Sequence, residues 1–190
     1  MRYSEDHKAQ THQRILEEAA RLFRRDGVAA TGLQPLMKAL GLTHGGFYAH
    51  FKSKDDLVEQ ALGQAIRQTD AATAEMATRE NPLQALISGY LSEAHRNDPG
   101  AGCPLPTLCA ELGQRGTPSA TTDRVIRSRL EMIQNHLEGE TAAQQSMLIL
   151  STLIGALLLS RSVQDPELSK ELLAAPKRLL LEQLSDTRAH

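Results

Sequence analysis

The chain has 190 residues, 41% of them hydrophobic, with only 3% aromatic residues and no Trp. That length holds one or two domains with a sizeable core, and an interior short of aromatic side chains favours helices packed through Leu, Ala, Ile and Met over a β-rich fold. A net charge of −2 and a pI near 6.4 give no general affinity for polyanions, and two cysteines argue against a disulfide scaffold and fit a reducing cytoplasm.

Charge is only weakly uneven. Residues 1–60 carry nine Lys/Arg against eight Asp/Glu, and the remainder twelve against fifteen, so any claim of DNA binding rests on a motif. Four histidines, His7, His12, His44 and His50, lie in the first third and add positive charge as pH falls. No basic-apolar secretory signal opens the chain. The most apolar run, Met147 to Leu159, is interrupted by Ser151, Thr152 and Gly155 and is too short to span a bilayer. The expectation is a soluble cytoplasmic protein with no membrane partner.

In chain order, residues 1–10 are polar, without period, and read as a frayed tail, in which Arg2 and Lys8 have two readings, reach to DNA phosphates or, the plainer one, solvation. A first helix is predicted from Thr11 to Asp26, with Ile15, Ala19, Leu22 and Phe23 in an i, i+4, i+7, i+8 stripe. Thr31 and Gln34 make a capping box for a second helix carrying Leu33, Leu36 and Leu40, with Pro35 in its first turn and Gly41 at its end. Thr43 caps a third from His44 to about His50, in which Phe47 and Phe51 turn toward Leu36 and Leu40. The other face of that helix, with Gly45 and Ala49 flanked by Gly46 and Tyr48, is small, polar and unfit for a core. Ser53 and Asp56 open a long helix reaching Met76.

The second half is punctuated in the same way. Asn81-Pro82 starts a helix reaching about Arg96, NDPGAG is a loop, and Cys103-Pro104 begins a short helix ending at Gly113. Thr117-Pro118 starts one reaching about Leu137, Thr141 starts the apolar one ending near Val163, and Asp165-Pro166 opens the last, which Pro176 should kink or divide. No segment alternates with period two. The fold class is all-α.

Two short helices joined by a Gly-containing turn fit a helix-turn-helix whose second helix enters a major groove, and equally an ordinary helical hairpin. Read with its flanks, residues 14–62, RILEEAARLFRRDGVAATGLQPLMKALGLTHGGFYAHFKSKDDLVEQAL, resemble the amino-terminal DNA-binding segment of the TetR family of bacterial transcriptional regulators. The pattern is Ile15, Ala19, Leu22, Phe23, Gly27, Thr31, Gly41, Phe47, Tyr48, Phe51, Lys54 and Leu57, and it covers about a quarter of the chain. The resemblance implies a three-helix helix-turn-helix DNA-binding domain over residues 1–52 and a helical effector-binding and dimerisation domain over 53–190. It implies a homodimer through helices 141–163 and 166–184, a double-stranded operator of roughly palindromic sequence, and an unknown small-molecule effector that releases a repressor. It also assigns His44, Gly45, Gly46 and Ala49 to base edges and Thr43, Tyr48, His50 and Lys54 to phosphates. Packing beside Phe51 is an equal alternative for His50.

Gly45-Gly46 stands where many relatives carry longer side chains, which leaves few direct base contacts and points to readout of DNA shape. GCPLPTLCAELG resembles a Gly-Cys motif of some TetR-like regulators that respond to electrophiles or oxidants. A thiol-switched regulator acting through Cys103 is therefore the alternative function, with a buried structural thiol as the plain reading. Cys109, six residues on, is too far along a continuous helix for a direct bridge. Tyr90, His95, Met132 and His136 are candidates for the effector pocket, each also suited to core or surface. With no phosphate-binding Gly loop, no H-E-x-x-H and no metal-spaced Cys/His cluster, neither an enzyme nor a bound cofactor or metal is expected.

Overall fold

Helix α1, Arg2–Asp26, starts nine residues earlier than expected. The added turns are exposed over residues 6–10, so they gain nothing from packing. They are rich in straight-chain helix formers with neither Gly nor Pro, and they extend a helix that Ile15, Leu16, Ala19 and Phe23 have already anchored. The computed structural model describes residues 2–116 and 118–187, all helices and connections, with no strand among the described residues. Thr117, the expected start of a helix, lies outside them.

The chain divides into two compact units, Met1–Thr69 with Gly100–Glu111, and Asp70–Pro99 with Leu112–His190. In the first, α1 packs against α2, Leu33–Ala39, and α2 against a six-residue 3-10 helix, His44–Ala49. Its core gathers Phe23, Phe47 and Phe51 with Leu36, Met37 and Leu57. All three phenylalanines of the sequence are spent here. Helix α3, Lys54–Ala77, is opened as expected by Ser53, whose Oγ accepts from Asp56 N at 3.1 Å, while Asp56 accepts from Lys52 N at 2.9 Å.

Two local expectations are corrected here. Thr31 does not cap α2; its hydroxyl is buried and donates to Gly27 O at 2.7 Å, and Gly32 takes the cap position with no side-chain bond. A Ser or Thr hydroxyl can always turn back to a carbonyl four residues earlier, and here that carbonyl is at the end of α1, where α1's own ladder has run out. The segment after Thr43 is a 3-10 helix rather than an α-helix, with Gly46 N bonded to Thr43 O at 3.0 Å and His50 N to Phe47 O at 2.9 Å. One turn holding two glycines has too little propensity to complete α-helical geometry.

The second unit contains α4, Pro82–Tyr90; α5, Glu93–Asn97; the end of α6, Leu105–Arg115; α7, Ala120–Gln134; α8, Ala142–Ser162; and α9, Pro166–Thr187. The single helix expected over 82–96 is broken. Ser92 is extended and caps α5 through His95 N at 3.1 Å, and the His95 ring meets Tyr90 O at 2.9 Å, so both new ends are satisfied. Arg161 of α8 donates to the carbonyls of His95 and Arg96, closing α5. Pro176 does not divide α9 either: Leu173 and Leu180 on its two sides are buried in the core, and that packing outweighs a cost of about 3 kcal/mol.

The core of this unit is aliphatic, built on Leu83, Ile87, Ile133, Leu153, Leu157 and Leu173. Helix α8 packs on α7 and α9. It is also long and apolar enough to cross a membrane by length and composition. Its core-facing residues, among them Ile149, Leu153 and Leu157, are buried, while Met147, Leu148, Leu158 and Leu159 face outward.

Candidate nucleic-acid interface

The recognition segment is held from beneath by its aromatic residues. Phe47 and Phe51 are fully buried and stack with centroids 5.4 Å apart, which fixes the roll of the 3-10 helix on the core. Thr43 caps it, accepting from Gly46 N at 3.2 Å. Gly41 closes α2 with φ +72°, a backbone state that favours glycine, and the chain turns there toward the solvent.

The side left outward is short and bare. Thr43, His44, Gly45, Tyr48 and Ala49 are exposed, and Gly46 is half-buried. A Cβ placed on Gly45 would meet nothing within 4 Å. Since neither Gly45 nor Gly46 has positive φ, it is the outer surface, not the local fold, that tolerates or requires a missing side chain. Tyr48 is 61% exposed, its ring edge-on to His44 at 5.9 Å and to Phe47 at 5.2 Å. The buried Phe47 therefore steadies a phenol that faces water, suited to donating to a phosphate oxygen.

His50 and Lys54 flank this surface. Lys54 is half-buried in the first turn of α3. His50 lies beside Phe51, 6.5 Å between centroids, and His12 of α1, 6.2 Å away, while His12 stacks on Phe51 at 4.5 Å. The His50 Nδ1 is buried without a hydrogen-bond partner, and burial, then the nearby His12 and Lys8, holds its pKa below the usual histidine value. The ring thus lies beside Phe51 at the rim of the recognition segment.

The part of the site that sequence reading missed comes from residues 100–111. Glu111 accepts from Val28 N at 2.7 Å and Ala29 N at 2.9 Å, spanning the turn that follows α1. Gly27 has φ +88° there, and a Cβ on it would stand 2.9 Å from the Glu111 carboxylate. Thr107 donates to Arg24 O at 2.6 Å, and buried Arg24 bonds Gly100 O and Gln68, the latter at 2.9 Å. Nothing in a helical run containing Glu111 marks that carboxylate as a partner of amides 82 and 83 positions away.

Residues 15–61 match the family model of the bacterial regulatory proteins, tetR family. That segment of the chain is of the TetR family. The chain is 47% identical over 51 residues to the HTH-type transcriptional regulator AcrR of Shigella flexneri, a match covering 27% of this chain and 24% of that one. An HTH-type transcriptional regulator of Mycobacterium tuberculosis is 27% identical over 165 residues, covering 80% and 85%. The crystal structure of a TetR transcriptional regulator from Chloroflexus aurantiacus superposes with a TM-score of 0.77 at 23% identity, over 96% of this chain and 98% of that one, a likeness of fold. These likenesses support a DNA-binding regulator, and Thr43 to Lys54 fall inside the matched segment.

The remaining candidates are dispersed. Cys103 is buried just ahead of α6, and burial, with Cys103 adding to it, pushes the Cys109 thiol pKa up, away from the reactive thiolate. Tyr90 and His95 meet edge to face at 4.6 Å, Met132 packs on the second unit's core and His136 is exposed. None of the four lines the tight seam around Phe23, Ala61 and Leu108 or the open trough on α9 around Lys177 and Leu181.

Proposed function

We propose that this regulator is a repressor that binds a roughly palindromic operator as a homodimer and leaves it when a small-molecule effector binds the helices of residues 53–190. The DNA-binding part is residues 1–52, with His44, Gly45, Gly46 and Ala49 at base edges and Thr43, Tyr48, His50 and Lys54 at phosphates. The protein works in the cytoplasm and not as an enzyme.

The observation that carries this reading is the outward face of the last two helices. Met147 and Leu158, Leu148 and Leu159, and Leu168 and Leu179 are exposed apolar pairs eleven residues apart, three turns, so each pair lies on one side of its helix. On α8, exposed Ser151 and Gly155, where an added Cβ would meet nothing within 4 Å, lie between the large residues. A bare centre between apolar shoulders suits close crossing by a second copy of the same helix. Such a dimer sets two recognition segments about 34–36 Å apart, one duplex turn. An effector then needs only about 1–3 kcal/mol of coupling to empty the operator.

Selection from a random duplex library at fixed salt, with Tyr48→Ala, Lys54→Ala and Leu159→Glu alongside, tests the reading. An enriched palindrome is expected, with the first two variants weakened across all sequences and Leu159→Glu monomeric by sedimentation and bound far more weakly. An enriched half-site with no symmetry, bound equally by Leu159→Glu, overturns the dimer. No enrichment at all overturns operator recognition.

A further inference from the structure

Lys8 and His12 of α1 place charge where the recognition segment ends. Lys8 and His12 are four residues apart, on one face of α1; His12 stacks on Phe51 and stands 6.2 Å from the His50 ring, and the charge of Lys8 bears on His50. Lys8 is exposed, and His12 and His50 are half-buried. Two histidine rings from two elements thus meet at one rim, with the charge of Lys8 acting on it. The carboxylate that faces His12 is Asp56, and its two oxygens are already held by Lys52 N at 2.9 Å and Gln60 Nε2 at 2.8 Å. Burial first disfavours a proton on His50, and repulsion from His12 and Lys8 adds to it. An anion at this rim removes that repulsion. With Nδ1 buried, Nε2 is the ring nitrogen left to meet a phosphate oxygen.

We propose that Lys8, His12 and His50 form a second phosphate site for the operator duplex, carried by α1 as well as the recognition segment, and that filling it takes up a proton. The inference rests on the DNA-binding reading above and adds to it an element, α1, and a pH dependence. The sign follows from linkage. In the free protein the charged form of His50 is disfavoured; a bound phosphate favours it, so DNA binding draws protons and tightens as pH falls through the histidine range. Folding runs the other way, because His50 binds its proton less readily folded than unfolded, and free protein loses stability as pH drops below the usual histidine value.

Titrations of full-length protein with a non-cognate and a selected duplex, at pH 8 and pH 6 over a range of salt, test this. Wild type is expected to bind both duplexes about three- to tenfold more tightly at pH 6, given that one fully linked proton is worth at most tenfold per pH unit. His12→Gln and His50→Gln should flatten that gain. Lys8→Ala, at an exposed position that leaves the melting curve unchanged, should lower the slope of log affinity against log salt by about 0.9, the value of one phosphate contact. An unchanged slope for Lys8→Ala with an undiminished pH gain in both histidine variants overturns this inference while DNA binding stands. A wild type that binds neither duplex overturns both readings. Inorganic phosphate at constant ionic strength separates the sources: if it moves the His50 ring resonances as far as the duplex does, the site is a free-anion site and the proposal fails.

Discussion

The two units solve burial differently. The first uses every phenylalanine in the chain and closes its core on itself, so that Tyr48 is the one large apolar side chain it leaves exposed among the described residues. The second buries aliphatic residues at its centre, with Tyr90 at the edge, and leaves Met147, Leu148, Leu158, Leu159, Leu168 and Leu179 outside, all on α8 and α9. Rigid aromatic rings at fixed distances suit a small unit that must hold one surface in one orientation. Leu-rich helices pack through interchangeable contacts, so the second unit can leave a stripe over for another subunit and keep its core. One composition, spent unevenly, thus gives one unit with a closed aromatic core and one with apolar residues left on its surface.

That contrast breaks first at Phe47. Phe47→Ala removes the buried ring beneath the recognition segment and should cost about 3–5 kcal/mol, much of the stability of a small unit. Hydrogen exchange is the measurement: amides of α1, α2 and the start of α3 should lose protection while those of α8 and α9 keep theirs. If α8 and α9 exchange equally fast, the two cores are one cooperative body and the comparison fails.

Much of the first unit was legible because its signals are local. Phe47 and Phe51, the Ser53 and Asp56 pair and the positive-φ Gly41 each act within a few residues, and each stands where the spacing put it. Thr31 misled because two local bonds compete for one hydroxyl and only the end of α1 decides between them. Ser92 carried a cap signal inside a run that read as continuous helix, and Pro176 a break signal that the burial of Leu173 and Leu180 overrides. The Glu111 and Arg24 bonds were out of reach altogether: a carboxylate or guanidinium on a helix looks solvated until the fold brings a distant backbone to it.

Glu111→Ala sharpens the comparison by asking whether residues 100–111 belong to the first unit in function as well as in packing. The change strands the part-buried amide of Val28, at a cost of about 1–3 kcal/mol, while the exposed amide of Ala29 turns to water. Glu111 touches the turn after α1 and acts on DNA only through it. The expected signature is a lower melting temperature together with weaker DNA binding whose salt slope is unchanged, since no phosphate contact is lost. Glu111→Gln, which keeps one acceptor oxygen, should recover part of both. Full DNA affinity in Glu111→Ala would show that the turn holds without it.

The smallest effect is expected at Gly45, where it is also the most discriminating. Space around this position is open and its backbone needs no glycine, so Gly45→Ala should stabilise the free protein, by up to about 1 kcal/mol from helix propensity. Against DNA the same methyl meets a groove. If the bare surface lets the backbone approach the bases, Gly45→Ala folds better and binds its selected duplex less tightly, with non-cognate binding unaltered. If both affinities rise together, the added methyl only pre-orders the 3-10 helix, and the glycine pair costs this protein rigidity without contributing to recognition. Opposite signs in folding and in specific binding at one exposed residue mark a surface shaped for a partner, as a position set by its own packing would move both the same way.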